Sequence, residues 1–189
     1  MTIYIAFLRG INVGGKNMIK MADLKGIFET LEFVNVETYI QSGNVIFESD
    51  QNENVLKKNI EIAIKNYFGL SIAVVLRSID ELEKLIHNMP FSEDEVNEAE
   101  SVNSEGESLY VSMMPKELPC EKIVYLNKYL NKNDRYEIIN RDIYLLLKQS
   151  IRKSMFANKI QNPEMAATVR NWKTINKIFS LAKSRTSVK

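Results

Sequence analysis

The sequence predicts an α+β fold made of two βαββαβ-type units with mainly antiparallel sheets. Three observations predict it. Short apolar strands alternate with amphipathic helices, a tight turn joins two adjacent strands in each half, and an acidic stretch separates the halves. The 189-residue chain has room for one large domain or two small ones. Its 45% apolar content is too high for a disordered chain.

Residues 2–8 read as a buried strand, followed by a Gly-rich loop over residues 9–17. Leu24, Ile27, Phe28 and Leu31 recur at helical spacing and define one apolar face over residues 21–31. Residues 34–40 alternate as a strand and residues 44–49 form the next. Gln41, Ser42 and Gly43 between them supply the positive φ of a tight hairpin. A second helix spans 53–68, with Leu56, Ile60, Ala63 and Tyr67 inward and Gly69 as its C-cap. A strand at 72–77 completes a ferredoxin-like pattern over residues 1–77, with the four strands ordered 4-1-3-2.

Residues 78–107 connect the halves. A helix at 79–89 stops before Pro90, and the stretch from 91 to 107 carries seven acids and no base, which reads as a mobile linker or lid. Residues 108–189 restart the pattern: a strand at 108–114, a helix at 121–130 with Ile123, Leu126 and Leu130 inward, and a hairpin of 136–139 and 143–148 around Asn140, Arg141 and Asp142. A helix at 152–161 and a long one at 167–183 stand where a last strand would be expected, the latter with Val169, Trp172, Ile175, Phe179 and Ala182 inward.

No apolar run is long enough to span a membrane, the first residues lack the basic n-region of a secretory signal, and the lone Cys120 has no internal partner. A reducing, cytoplasmic setting is expected. The net charge of +1 hides an uneven distribution. Residues 148–189 carry ten bases against the single acid Glu164, and residues 1–20 carry Arg9, Lys16 and Lys20 with no acid. Such asymmetry points to an anionic partner, a nucleotide or nucleic acid.

Three segments can bind one. Gly10 through Lys16 fits G-x-x-x-x-G-K after a strand, but Asn17 stands where a phosphate-binding loop has its Mg²⁺-binding hydroxyl. What survives is weaker anion binding, with backbone N–H groups freed by Gly10, Gly14 and Gly15, polar side chains from Asn12 and Asn17, and charge from Arg9 and Lys16. The alternative is that the glycines only let the chain turn. Gln41, Ser42 and Asn44 emerge at the same end of the predicted sheet, so loop and hairpin can share a site; such residues also satisfy turn backbones. Arg170 and Asn171 open a third segment, in which Arg170, Lys173 and Lys177 form a basic helical face.

No catalytic constellation is legible. With one His and one Cys, neither a His/Cys metal cluster nor a Cys–His pair away from His87 can be built, and Lys153 and Ser154 adjoin in sequence whereas a Ser–Lys dyad needs proximity in space. Nothing calls for a cofactor. The segments Leu8-Arg9-Gly10-Ile11-Asn12-Val13-Gly14-Gly15-Lys16-Asn17, Tyr39-Ile40-Gln41-Ser42-Gly43-Asn44-Val45 and Thr168-Val169-Arg170-Asn171-Trp172 strongly resemble a mainly bacterial family catalogued as domain of unknown function 1697. The resemblance runs from the first strand to the last helix. It implies a stand-alone cytoplasmic protein with ferredoxin-like subdomains and carries no activity. The reading is a binder of a phosphate-bearing ligand over the loop and hairpin. Its rivals are an enzyme of unrecognised type using the same pocket, and an interaction module presenting the acidic stretch and the basic last helix.

Overall fold

The computed structural model describes residues 1–186; Lys189, counted above among the C-terminal bases, lies outside the described residues. The chain divides into two compact units, Met1–Lys84 with Asn176–Lys189, and Leu85–Ile175.

The first unit contains β1 (Thr2–Leu8), α1 (Met21–Thr30), β2 (Val34–Tyr39), β3 (Asn44–Ser49), α2 (Glu53–Phe68) and β4 (Val74–Ser78). Its sheet runs β2-β3-β1-β4 with every neighbour antiparallel, the 4-1-3-2 order the sequence predicts. One face of the sheet packs Ala6, Leu8, Val45, Phe47, Val74 and Leu76 against Leu24, Phe28, Leu56, Ile60 and Ile64 of the two helices. Apart from Ala6, each such side chain, fully buried, contributes about 1.5–3 kcal/mol. The alternate residues Ile3, Ile5, Phe7, Ile46 and Val75 are buried too, which is why β1 reads as a continuous apolar run. On α2 the buried set is Leu56, Ile60 and Ile64, not the predicted Ala63 and Tyr67. Strict four-residue steps keep the three branched side chains on one line and leave Tyr67 exposed.

The second unit contains β5 (Leu109–Met113), α5 (Cys120–Asn127), β6 (Asp134–Ile139), β7 (Asp142–Leu147), α6 (Met155–Ile160), a 3₁₀ turn at Pro163–Met165 and β8 (Thr168–Asn171). Its sheet order, β6-β7-β5-β8, repeats that of the first unit. The strand β8 corrects the sequence reading, which ran a single helix over 167–183. The chain pairs with β5 through Asn171, and only then does α7 (Trp172–Ser184) begin. The Asn171 Oδ1 accepts a hydrogen bond from Thr174 N (2.8 Å), the cap that separates strand from helix. Leu130, predicted inward, is exposed because α5 stops at Asn127. On α7 the buried residues are Ile175, Ile178 and Ala182, while Trp172 and Phe179 are half-buried.

Between β4 and β5 lie α3 (Ile79–His87) and α4 (Glu93–Val102). Within the acidic stretch, read above as a mobile linker or lid, Glu93–Val102 form a helix. Ser92 and Glu95 make a reciprocal capping box, with acids in the first turn, where the helix dipole favours them. Among the described residues no helix is long and apolar enough to cross a membrane.

Candidate functional site

The first unit concentrates unusual backbone at one end of its sheet. Where β1 ends, Leu8 N donates to Gly43 O (2.8 Å) and Arg9 N to Ala73 O (3.0 Å), so the loop leaves the sheet beside the β2–β3 hairpin. Gly10, Asn12, Gly14, Gly15 and Asn17 all have positive φ, between 48° and 73°. Every one is Gly or Asn, the residues for which that region costs least. Lys16 N donates to Val13 O (3.1 Å) and Asn12 N to Asn17 O (3.2 Å), closing residues 12–17 into a small hairpin with Gly14 and Gly15 at its tip. Two left-handed residues are what a two-residue type I′ turn requires.

Side chains fix this hairpin to its surroundings. The Asn12 amide donates to Ile19 O (2.9 Å) and Gln41 O (2.8 Å), while its Oδ1 accepts from Ile19 N (2.8 Å). The Asn17 amide donates to Gly10 O (3.0 Å). Buried Asn44 donates to Tyr39 O (3.2 Å) and Ser42 Oγ (2.9 Å), bracing the neighbouring turn. In that turn Ile40 has φ 49°, a β-branched residue held in a region it disfavours. A Cβ on Gly43 would lie 2.7 Å from Ile11 Cδ1 and 2.8 Å from Leu8 Cβ, so only glycine allows the hairpin and loop to approach this closely.

The structure thus sorts the predicted residues. Gly10, Asn12, Asn17, Gln41, Ser42 and Asn44 come together as a scaffold, several with their amides committed to backbone carbonyls. Gly14, Gly15 and Lys16 face solvent at the tip, and Arg9 is half-buried at the base. Arg170 and Asn171 belong to β8 of the second unit and not to a helix, so the expected face of Arg170, Lys173 and Lys177 does not form. The Arg170 Nη1 donates to Thr168 Oγ1 (2.8 Å) and Val169 O (2.9 Å), and burial pushes its pKa down to about 10, leaving it cationic at neutral pH. The nucleotide-hydrolysing reading of Gly10 through Lys16 fails on geometry. The loop folds back on itself, its Lys16 N–H is spent on Val13, and α1 starts only at Met21.

Sequence reasoning missed two features of this end. Val13, Met18 and Ile40 are 63%, 68% and 50% exposed, apolar side chains standing among the polar ones. Lys20 is exposed as well, and among the described residues neither it nor Lys16 has an ion-pair partner. The signal was available in the composition of residues 1–20, where Val13 and Met18 stand near Lys16 and Lys20 and no acid occurs.

Elsewhere part of the charge asymmetry is taken up in ion pairs. In the second unit Arg135 pairs with Glu95 (2.5 Å), Lys148 with Glu98 (2.5 Å), Lys153 with Glu105 (2.6 Å) and Lys173 with Glu107 (3.0 Å). The Arg135 hydrogen bond, followed by the Ser92 N–H, lowers the Glu95 pKa to about 2. In the first unit Lys183 meets Glu83 and Arg185 meets Glu37. Four acids of the stretch and five of the C-terminal bases are therefore engaged in ion pairs. Ser154 is no nucleophile: it is buried, donates to Asp134 Oδ2 (2.9 Å) and caps α6 by accepting from Ala157 N (3.0 Å). Among the described residues no group of three or more His, Cys, Asp or Glu side chains is placed to hold a metal ion. A groove of about 470 Å³ lined by Lys122, Tyr125, Lys159 and Met165 had no counterpart in the sequence reading.

The chain belongs to the family described as Protein of unknown function (DUF1697), whose model matches residues 1–144. The match covers the loop and hairpin motifs and stops short of the segment around Arg170. No curated protein shows significant similarity to the chain. Among solved structures it is similar to conserved bacterial protein SP0830 from Streptococcus pneumoniae. The two share 22% identity over 96% of this chain and 98% of that one, with a TM-score of 0.74, a likeness of fold.

Proposed function

For this member of the family, we propose that the loop–hairpin end of the first unit binds a phosphate-bearing ligand, and that the ligand is a polynucleotide in preference to a free nucleotide. The observation that carries the reading is a surface loop pinned by its own backbone and side-chain hydrogen bonds while Lys16 and Lys20 are exposed and, among the described residues, have no ion-pair partner. Five left-handed residues, the Asn12 clamp and the strained Ile40 fix the loop in place. This fixation seats Ile11 and Ile19 in the core, and it also spares a binding surface at the tip the entropy of ordering on contact. The exposed tip offers a surface and not a walled pocket, which suits a phosphate backbone read by charge. The free thiol of exposed Cys120 fits a cytoplasmic location.

Fluorescence anisotropy with labelled oligouridylate and oligodeoxythymidylate over a salt series tests the reading, with ATP and inorganic phosphate as competitors. Binding that weakens steeply with salt and resists competition by ATP is expected. Saturable binding of ATP alone would replace the polynucleotide with a nucleotide. Exposed Val13, Met18 and Ile40 favour a second reading, an apolar protein contact, which would show as association indifferent to salt.

A further inference from the structure

We propose that the acidic segment 93–107 is an internal competitor for polynucleotide, occupying a basic surface of the second unit that an external phosphate backbone takes when the segment is displaced. Glu95, Glu98, Glu105 and Glu107 each meet a cation from a different place in the unit: Arg135 on β6, Lys148 after β7, Lys153 before α6 and Lys173 on α7. The partners are 40 to 66 residues apart in sequence, so local geometry does not impose the matching. It is one acidic segment laid along a track of bases.

The two sides are held very differently. The bases extend from or flank elements fixed by the core, with Leu145, Leu147, Phe156 and Ala157 buried beside or between them in sequence. The acids sit on a segment anchored by few buried side chains: Phe91 before it, Ala99 within it and Asn103 after the helix. The Asn103 amide ties the end down through Glu107 O (3.0 Å) and Ser108 Oγ (3.2 Å). A gap of about 80 Å³ remains where Glu95 and Glu98 face Lys132, Arg135 and Lys148. Most of the paired side chains stay substantially exposed, so water and salt reach the pairs and each is individually weak. With the segment lifted, the surface carries Lys132, Arg135, Lys148, Lys153 and Lys173.

The occupant follows from what can displace a tethered competitor. A covalently attached segment acts at high effective concentration, so a ligand meeting one base at a time does not compete. A lone phosphate replaces one carboxylate. A polynucleotide replaces all of them and releases condensed counterions in proportion to the contacts made, a driving force that a sparsely charged peptide lacks. None of these residues belongs to the Gly-rich loop, so this inference and the loop reading fail separately.

The test compares two fourfold variants of equal net charge. In one, Glu95, Glu98, Glu105 and Glu107 become Gln; in the other, the exposed Glu32, Glu117, Glu121 and Glu137 do. Both retain Lys16 and Lys20, and both are titrated with labelled oligouridylate. The first should bind about tenfold tighter than the second, with a steeper dependence on salt. Equal binding by two folded variants overturns the proposal. If thermal unfolding shows the first to be unfolded, lysine acetylation of the unmodified protein decides. Oligonucleotide at low salt should then protect Lys148, Lys153 and Lys173, and their unchanged reactivity overturns it. Tighter binding of a peptide spanning residues 91–107 than of the oligonucleotide by the first variant would also overturn it.

Discussion

The two units solve the same problem with different loops. In the first, the chain leaves β1 through residues 9–20 and folds a glycine hairpin on the way to α1; in the second, residues 114–119 cross from β5 to α5 directly, between Pro115 and Pro119. Both crossings use the same junction. Leu8 N donates to Gly43 O in one unit, and Met114 N to Arg141 O (2.9 Å) in the other. Both sheets then follow with the same strand order. The second unit shows that this topology needs neither the glycine hairpin, nor a strained Ile40, nor an Asn12 clamp. A proline-bounded link suffices, because proline restricts φ before folding begins. The elaboration in the first unit is therefore more than the strand order requires: it seats Ile11 and Ile19 in that unit's core and leaves Gly14, Gly15 and Lys16 exposed at a fixed tip.

The comparison can be broken by substitutions on both sides. The largest effect belongs to Gly43→Ala, where the left-handed backbone and the collision with Ile11 and Leu8 together should cost about 2–4 kcal/mol in urea denaturation. A loss below about 0.5 kcal/mol would mean the junction is slack. Next is Asn12→Ala, which leaves both backbone groups of Ile19 and the Gln41 carbonyl without their partner; about 1–3 kcal/mol is expected. In the second unit the corresponding hairpin demands only one left-handed residue, Asn140 at φ 55°. Asn140→Ala should cost about 1 kcal/mol, and a cost matching that of Asn12→Ala would erase the contrast.

A smaller effect sharpens the account of the charges. Glu95 has its folded pKa depressed from 4.5 to about 2, so its contribution to stability is complete above pH 4.5 and is lost as pH falls through 2. Carboxylate NMR titration should place Glu95 near 2 and, in Arg135→Ala, well up toward 4.5. An unmoved value would assign the shift to the Ser92 cap alone.

The architecture of the first unit was legible because local signals agreed with one another. Gly43 marked the hairpin, Leu24, Ile27 and Phe28 lined one helix face, and residues 44–49 read as the strand they form. That loop and hairpin would meet followed from the topology alone. The misreadings have separate physical causes. Thr168–Asn171 runs into α7 without Gly or Pro, and only the β-branched Thr168 and Val169 and the capping Asn171 hinted at a strand. The acidic stretch read as a linker because like charges repel in isolation. Its partners come from distant segments, and nothing local announces that Lys173 will stand against Glu107. The role of Asn12 was read as ligand-facing because an amide that clamps backbone and one that greets a ligand look alike in sequence.

The central claim is that the first unit's loop serves the fold through its buried base and, as we propose, an anion through the lysines at its exposed end. Its most direct test is the double variant Lys16→Ala/Lys20→Ala, measured for stability and for binding of labelled oligouridylate across a salt series. The account predicts stability within about 0.5 kcal/mol of the unmodified protein, affinity lower by about ten- to a hundredfold, and a salt slope reduced by about 0.7 for each lysine removed. Unfolding of the double variant, or oligonucleotide binding with unchanged affinity and slope, would contradict it.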